Sequence, residues 1–287
     1  MTDYTVTLLD LSGQNLTVLP NLSLYTNLRS LQCKNNKLTS LNNLPPTLQE
    51  LQCQSNQLTS LDHLPPNLQE LYCGNNKLTS LNNLPSTLQI LYCHNNLLTS
   101  LNNLPPTIQK LDCENNKLMS LENLPPNLQE LQCQCNQITR LGGADFRGSD
   151  NDRWTLVEEG AQRLTKTESA FGTSLNNLPL NLRELYCYNN QLISLDNLPP
   201  NLQILYCHNN QLISLDNLPP NLQILYCHNN QLISLDNIPP NLQILYCIEN
   251  PIYETCKELY GFKLSTKTIE QYNEIKRLEK ECCPMLK

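Results

Sequence analysis

Twenty residues, NLQILYCHNNQLISLDNLPP, occupy positions 201–220 and recur at 221–240 with one change, Ile238 where Leu218 stood. Weaker copies run through most of the chain. A fixed period of this length dictates architecture before local propensity does, because each unit can bury its apolar face only by stacking on its neighbours. With slots numbered from Leu28, slots 1, 4 and 6 hold Leu28, Leu31 and Cys33. Slot 9 holds Asn36, and slots 11, 14 and 17 hold Leu38, Leu41 and Leu44. Leu-x-Cys alternates, so on a strand slots 4 and 6 turn inward while slots 3, 5 and 7 turn outward. Strands from successive units then stack about 4.8 Å apart as a parallel sheet, and about eleven of them span about 50 Å. The Pro-Pro pair near the end of each unit removes backbone donors and forbids helix, so the return is expected to be extended or polyproline-like.

The pattern Leu-x-x-Leu-x-Cys-x-x-Asn-x-Leu resembles the leucine-rich repeat signature with Cys in place of the third aliphatic residue. The resemblance covers roughly residues 6 to 252 apart from one insertion. The short unit and its Leu-x-x-Leu-Pro-Pro return, as at Leu61, Leu64, Pro65 and Pro66, are similar to the short class found in bacterial effector proteins. The Asn-rich style is also similar to leucine-rich repeat proteins of giant amoebal viruses. The resemblance implies a solenoid with a parallel β-sheet on the concave face and a protein-binding role. Bacterial effectors of this repeat type sometimes append a large ubiquitin-ligase domain, for which the 37 residues after Asn250 are too few.

The chain divides by this pattern. Residues 1–27 form an N-terminal cap with an irregular first repeat: Val6, Leu9, Leu11, Leu16 and Leu19 fit, Gln14 stands where slot 9 expects Asn, and Leu31 follows Leu9 by 22 residues rather than 20. Repeats fill 28–141 and 176–252. Between them, 142–175 is an insertion, since Leu141 and Leu175 both fit slot 14 and joining Leu141 to Asn176 restores the register. It holds Ala144, Ala161, Ala170 and Trp154. The spacing of Trp154, Val157, Ala161 and Leu164 suggests an amphipathic helix near 152–166; a docked excursion, a disordered loop and an insertion without function all remain open. Residues 253–287 are expected to form a helical cap, its second helix turning Ile269, Tyr272, Ile275 and Leu278 inward, or else a docking tail. Outside these two segments little helix is expected.

A formal charge of -7, with only 16% of residues charged, opposes a nucleic-acid partner, which needs a basic stripe to displace counterions. No stretch reaches 18 uninterrupted apolar residues, so no membrane span is expected, and no secretory signal opens the chain. An intracellular, cytoplasmic protein is the expectation. No nucleophile–base pair, phosphate loop or carboxylate dyad stands out among the outward slots, so neither an enzyme nor a cofactor is expected.

Ten of the fourteen cysteines occupy slot 6. They are expected to be small apolar core residues, with a disulfide or metal role as the alternative. His94, His208 and His228 adjoin these cysteines, but alternation points each imidazole away from its thiol, so no metal site is expected. The slot-9 asparagines should satisfy backbone groups where the chain leaves the strand. The outward slots change character along the chain. Early repeats are polar, whereas late ones carry Tyr186, Tyr188, Ile204, Tyr206, His208, Ile224, Tyr226, His228, Ile244 and Tyr246. Such an exposed apolar and aromatic strip points to contact with a protein partner of unknown identity. The alternatives are tyrosines that merely stiffen the sheet, or an adaptor that binds through 142–174 or the C-terminal helices with the solenoid as spacer.

Overall fold

A computed structural model describes residues 4–139 and 178–252, apart from 196, 236 and 237. Eleven three-residue strands lie in one parallel sheet in chain order: β1 (Leu8–Asp10), β2 (Ser30–Gln32), β3 (Glu50–Gln52), β4 (Glu70–Tyr72), β5 (Ile90–Tyr92), β6 (Lys110–Asp112), β7 (Glu130–Gln132), β8 (Glu184–Tyr186), β9 (Ile204–Tyr206), β10 (Ile224–Tyr226) and β11 (Ile244–Tyr246). Register is strict: Leu31 faces Leu51, Leu51 faces Leu71, and Leu205 faces Leu225. The irregular first repeat pairs at its longer offset, Leu9 against Leu31. Leu131 faces Leu185, so the ladder runs straight across the long sequence gap between β7 and β8. This is the parallel-sheet solenoid that the resemblance to leucine-rich repeats implied. The insertion and the C-terminal helices expected from the sequence lie outside the described residues.

The strands are short because each unit bends twice into left-handed backbone. Slot 8 has φ of 56° at Asn35, 52° at Asn95 and 52° at Asn229; slot 16 has 58° at Asn43, 65° at Asn103 and 61° at Asn217. Asn is among the few side chains that visit this region readily, because its short amide bonds locally. That accounts for much of the asparagine content, which periodicity alone did not explain.

Slot 9 works differently. Asn96 donates from Nδ2 to the carbonyls of Cys93 (3.0 Å) and Cys73 (3.1 Å), while its Oδ1 accepts the Leu78 N–H at 2.9 Å. The same set recurs at Asn56, Asn76, Asn116, Asn136, Asn190, Asn210, Asn230 and Asn250. Each amide ties its own repeat to the preceding one and satisfies backbone groups at a corner sealed from water. At the N-terminus Asn36 does this for the irregular repeat, accepting from Gln14 and Leu16.

On the convex side the return is non-helical among the described residues up to Asn250, but it is not uniformly extended. The Leu48 N–H donates to the Pro45 carbonyl at 3.2 Å, and the same bond recurs at Leu68, Leu128, Leu202 and Leu242. The second residue of the Pro pair thus sits at the first central position of a turn, where its fixed φ is already correct. Slot 20 adds a second polar ladder, with Asn67 donating to Pro46 and Asn221 to Pro200. Between the two ladders the core is a stack of leucine and cysteine rows, nearly all fully buried.

Candidate binding face

Slots 3, 5 and 7 point away from that core and form the concave surface. The ten residues singled out from the sequence all lie there, on β8 to β11 or two residues beyond a strand's end. Ile204, Ile224 and Ile244 stand side by side, as do Tyr186, Tyr206, Tyr226 and Tyr246. The rings pack against one another. Tyr206 and Tyr226 stack with centroids 4.5 Å apart and planes within 4°, and Tyr186 and Tyr246 extend the row at 5.0 and 5.6 Å. In the next row Tyr188 stacks on His208 at 4.4 Å and His208 on His228 at 4.2 Å, while Tyr246 meets His228 edge-on at 4.7 Å. Identical units at strand spacing dictate this: one ring per repeat at about 4.8 Å leaves offset stacking as the favoured arrangement.

Packing changes the expected exposure. The slot-3 isoleucines, read as exposed, are half-buried, because each is flanked by its neighbour in the row and by the tyrosine row. The isoleucines that do stand clear are elsewhere. Ile193, Ile213 and Ile233 in slot 12 are 49%, 59% and 72% exposed. Sequence reasoning passed over this row because it follows a core leucine without alternation. The available signal was that slot 12 is Thr at Thr39, Thr59, Thr79 and Thr99 and becomes Ile late in the chain.

A second group was also missed. ILYCHNN at 90–96 is the same heptapeptide as 204–210, and it places Ile90, Tyr92 and His94 on the same face. Tyr92 meets Tyr72 edge-on at 5.2 Å. Neighbours give the two histidines opposite electrostatics. His94 Nδ1 lies 2.9 Å from Asp112 Oδ2, and this bond raises its pKa against the opposing effect of burial. Its ring lies over Gly74, where an added Cβ would collide with the imidazole. His208 has no such carboxylate; desolvation, then His228, push its pKa down to about 4, and desolvation lowers that of His228 as well. At neutral pH the late histidines are therefore uncharged stacking rings. Their Nδ1 atoms are buried without a hydrogen-bond partner.

Tyrosine hydroxyls differ in the same way. Tyr72 donates to Glu70 at 2.8 Å and Tyr186 to Glu184 at 3.1 Å, and burial together with these carboxylates raises both phenol pKa values. Where Ile replaces Glu in slot 3, at Tyr206, Tyr226 and Tyr246, that acceptor is gone. Lys110 pairs with Glu130 at 3.1 Å on the same face.

Of the eleven described cysteines, all but Cys135 are buried. Burial pushes the thiols of Cys33 and Cys187 up to about 12, which suits an inert core row. Among the described residues no group of three or more His, Cys, Asp or Glu side chains could hold a metal ion, and no helix is long and apolar enough to cross a membrane. The concavities are shallow and polar; one bordered by Gln129, Arg183 and Gln203 holds about 330 Å³.

Comparison with known proteins agrees with this geometry. The family model Leucine Rich repeats (2 copies) matches residues 46–86, 66–106 and 180–220. No curated protein matches the chain. Among solved structures, YopM from Yersinia enterocolitica WA-314 is 30% identical over 85% of this chain and 55% of its own, with a TM-score of 0.50. The functional domain of InlJ from Listeria monocytogenes, described as including a cysteine ladder, is 29% identical over 86% of this chain and 50% of its own, with a TM-score of 0.65. The chain thus spans about half the length of these two. A chain of the octameric complex of Latrophilin 3, Unc5D and FLRT2 (LRR) shares the fold at 20% identity, covering 93% of this chain and 83% of its own, with a TM-score of 0.66.

Proposed function

We propose that this chain, a leucine-rich repeat solenoid by its repeats and its fold, binds a protein partner on its concave face. The observation that carries the reading is the continuous Ile/Tyr/His strip on β8 to β11. Its rings are rigid, are held by one another and combine apolar faces with hydroxyls that, at Tyr206, Tyr226 and Tyr246, have Ile rather than Glu in slot 3. Tyrosine of this kind supplies contact area at little entropic cost and is enriched at interface hot spots. The concave surface of a solenoid also presents one side chain per repeat along a long track. Neither argument requires catalysis, and neither concerns the cell compartment, which we propose to be cytoplasmic from the residues alone.

The slot-12 row favours a second reading, in which Ile193, Ile213 and Ile233 on the flank make the contact. Substitution separates the two. Slot 5 already holds Gln in β2, β3 and β7, so Tyr206→Gln/Tyr226→Gln preserves the fold. A pulled-down partner lost by that variant and retained by Ile213→Thr/Ile233→Thr supports the concave face. The reverse pattern assigns binding to the flank.

A further inference from the structure

We infer that the occupant of the concave face is an extended, bipartite polypeptide segment, apolar or aromatic over β9 to β11 and rich in arginine or lysine where it continues over the strands before them. This rests on the reading of that face as a protein-binding surface and adds the chemistry of the partner.

Charge complementarity sets the basic half. From β3 to β8 the outward slots carry Glu50, Glu70, Asp112, Glu114, Glu130 and Glu184 against Lys110 and against His94, which pairs with Asp112. Beyond Glu184 the same rows become Ile, Tyr and neutral His without a break in register. The surface is therefore an acidic track continuous with an apolar one. A polyanion is repelled from the first part, and a wholly apolar segment desolvates its carboxylates without supplying countercharge.

Hydrogen-bond bookkeeping points the same way. Gln134, on this face beside Glu114 and 4% exposed, has an amide oxygen with no donor, while its Nε2 donates to Glu114 at 3.0 Å. The unpartnered Nδ1 atoms of His208 and His228 lie further along the same rows, and a neutral imidazole offers one acceptor nitrogen. The Gln134 amide oxygen thus lacks a donor within the fold, as do the two Nδ1 atoms in the tautomer that leaves them unprotonated, and Arg and Lys are the side chains that only donate. Arg also stacks on aromatic faces, so a guanidinium at the boundary near Tyr186 and Tyr188 meets both halves.

The dimensions fix the length. With strands about 4.8 Å apart and extended residues rising about 3.3 Å, β3 to β8 accommodates about seven residues and β8 to β11 about four.

A random twelve-residue peptide library displayed on phage and selected on the full chain tests this directly. The selected peptides are expected to combine Arg or Lys at one end with aromatic or aliphatic residues at the other. Their affinity is expected to fall at least tenfold with Glu130→Gln/Glu184→Gln and at least tenfold with Tyr206→Gln/Tyr226→Gln. Slot 3 tolerates Ser30 and Ile90, so the first pair keeps the fold, which circular dichroism verifies. Apolar peptides that lose binding only with the tyrosine variant overturn the bipartite partner and leave the concave face as the binding surface. Peptides indifferent to both variants, or no enriched peptide, overturn both readings.

Discussion

At the scale of residues, the doublet Asn-Asn separates into two tasks that look alike in sequence. The second asparagine of each pair is a tie between repeats, and the reading from hydrogen-bonding capacity reached that role because an amide both donates and accepts. Asn96→Ala strands the Leu78 N–H and removes one of the two bonds to each of the Cys73 and Cys93 carbonyls, which keep those from Asn76 and Asn116. It is expected to cost about 2 kcal/mol in urea denaturation. The first asparagine is a conformational choice, invisible in the pattern because backbone φ is not a periodicity. Cys135 occupies it at φ 54° and interrupts a ladder in which Asn229 donates to Asn209 and Asn209 to Asn189. Cys135→Asn should mend the ladder and ease the backbone, raising stability by about 1 kcal/mol in the same assay. Histidines give a signed pH effect. The folded pKa of His208, about 4, lies below the ordinary value of 6.5, so between these pH values the unfolded chain binds more protons. Stability should therefore fall as pH drops from about 6.5 towards 4. His208→Gln, with a residue already used in that slot at Gln54 and Gln134, should flatten the loss when urea midpoints are compared at pH 7 and pH 5. His94, raised by Asp112, contributes with opposite sign: its share is complete below about 6.5 and disappears as pH rises through its folded pKa.

At the scale of elements, a repeat is a strand, two left-handed bends and a proline turn, and the strand was the part most legible in sequence. Leu-x-Cys alternation placed β2 to β11 because one inward face leaves only one workable register. The proline turn was less legible, since a Pro pair forbids helix without selecting between extended chain and turn; the Leu48 to Pro45 bond made the choice. The pairing of Leu131 with Leu185 makes β7 and β8 neighbours regardless of what lies between them in sequence. Excising 142–175, which joins Leu141 to Asn176 at the ordinary period, should therefore leave the sheet intact. Thermal denaturation followed by circular dichroism should show one cooperative transition within a few degrees of the parent, as expected when nearest-neighbour interfaces are kept. A loss of cooperativity would mean that the repeats on either side depend on those residues.

At the scale of the whole molecule, the rows of outward side chains matter more than any single site. The sequence located the aromatic strip because slot 5 is Tyr at every strand from β8 to β11, while slot 7 runs Tyr, His, His and Ile. It did not rank exposures, because whether Ile204 or Ile213 is the more open depends on neighbours 20 residues away in sequence and one strand away in space. The same dependence gives ILYCHNN two electrostatic characters, at His94 and at His208. Side-chain oxidation footprinting of the chain alone and with its captured partner tests the central claim most directly, because Tyr, His and Ile are read in one experiment. If the concave face binds, Tyr206, Tyr226 and His208 become protected while Ile213 and Ile233 react as before. Protection at Ile213 and Ile233 with Tyr206 and Tyr226 unchanged would contradict the account and move the binding surface to the flank.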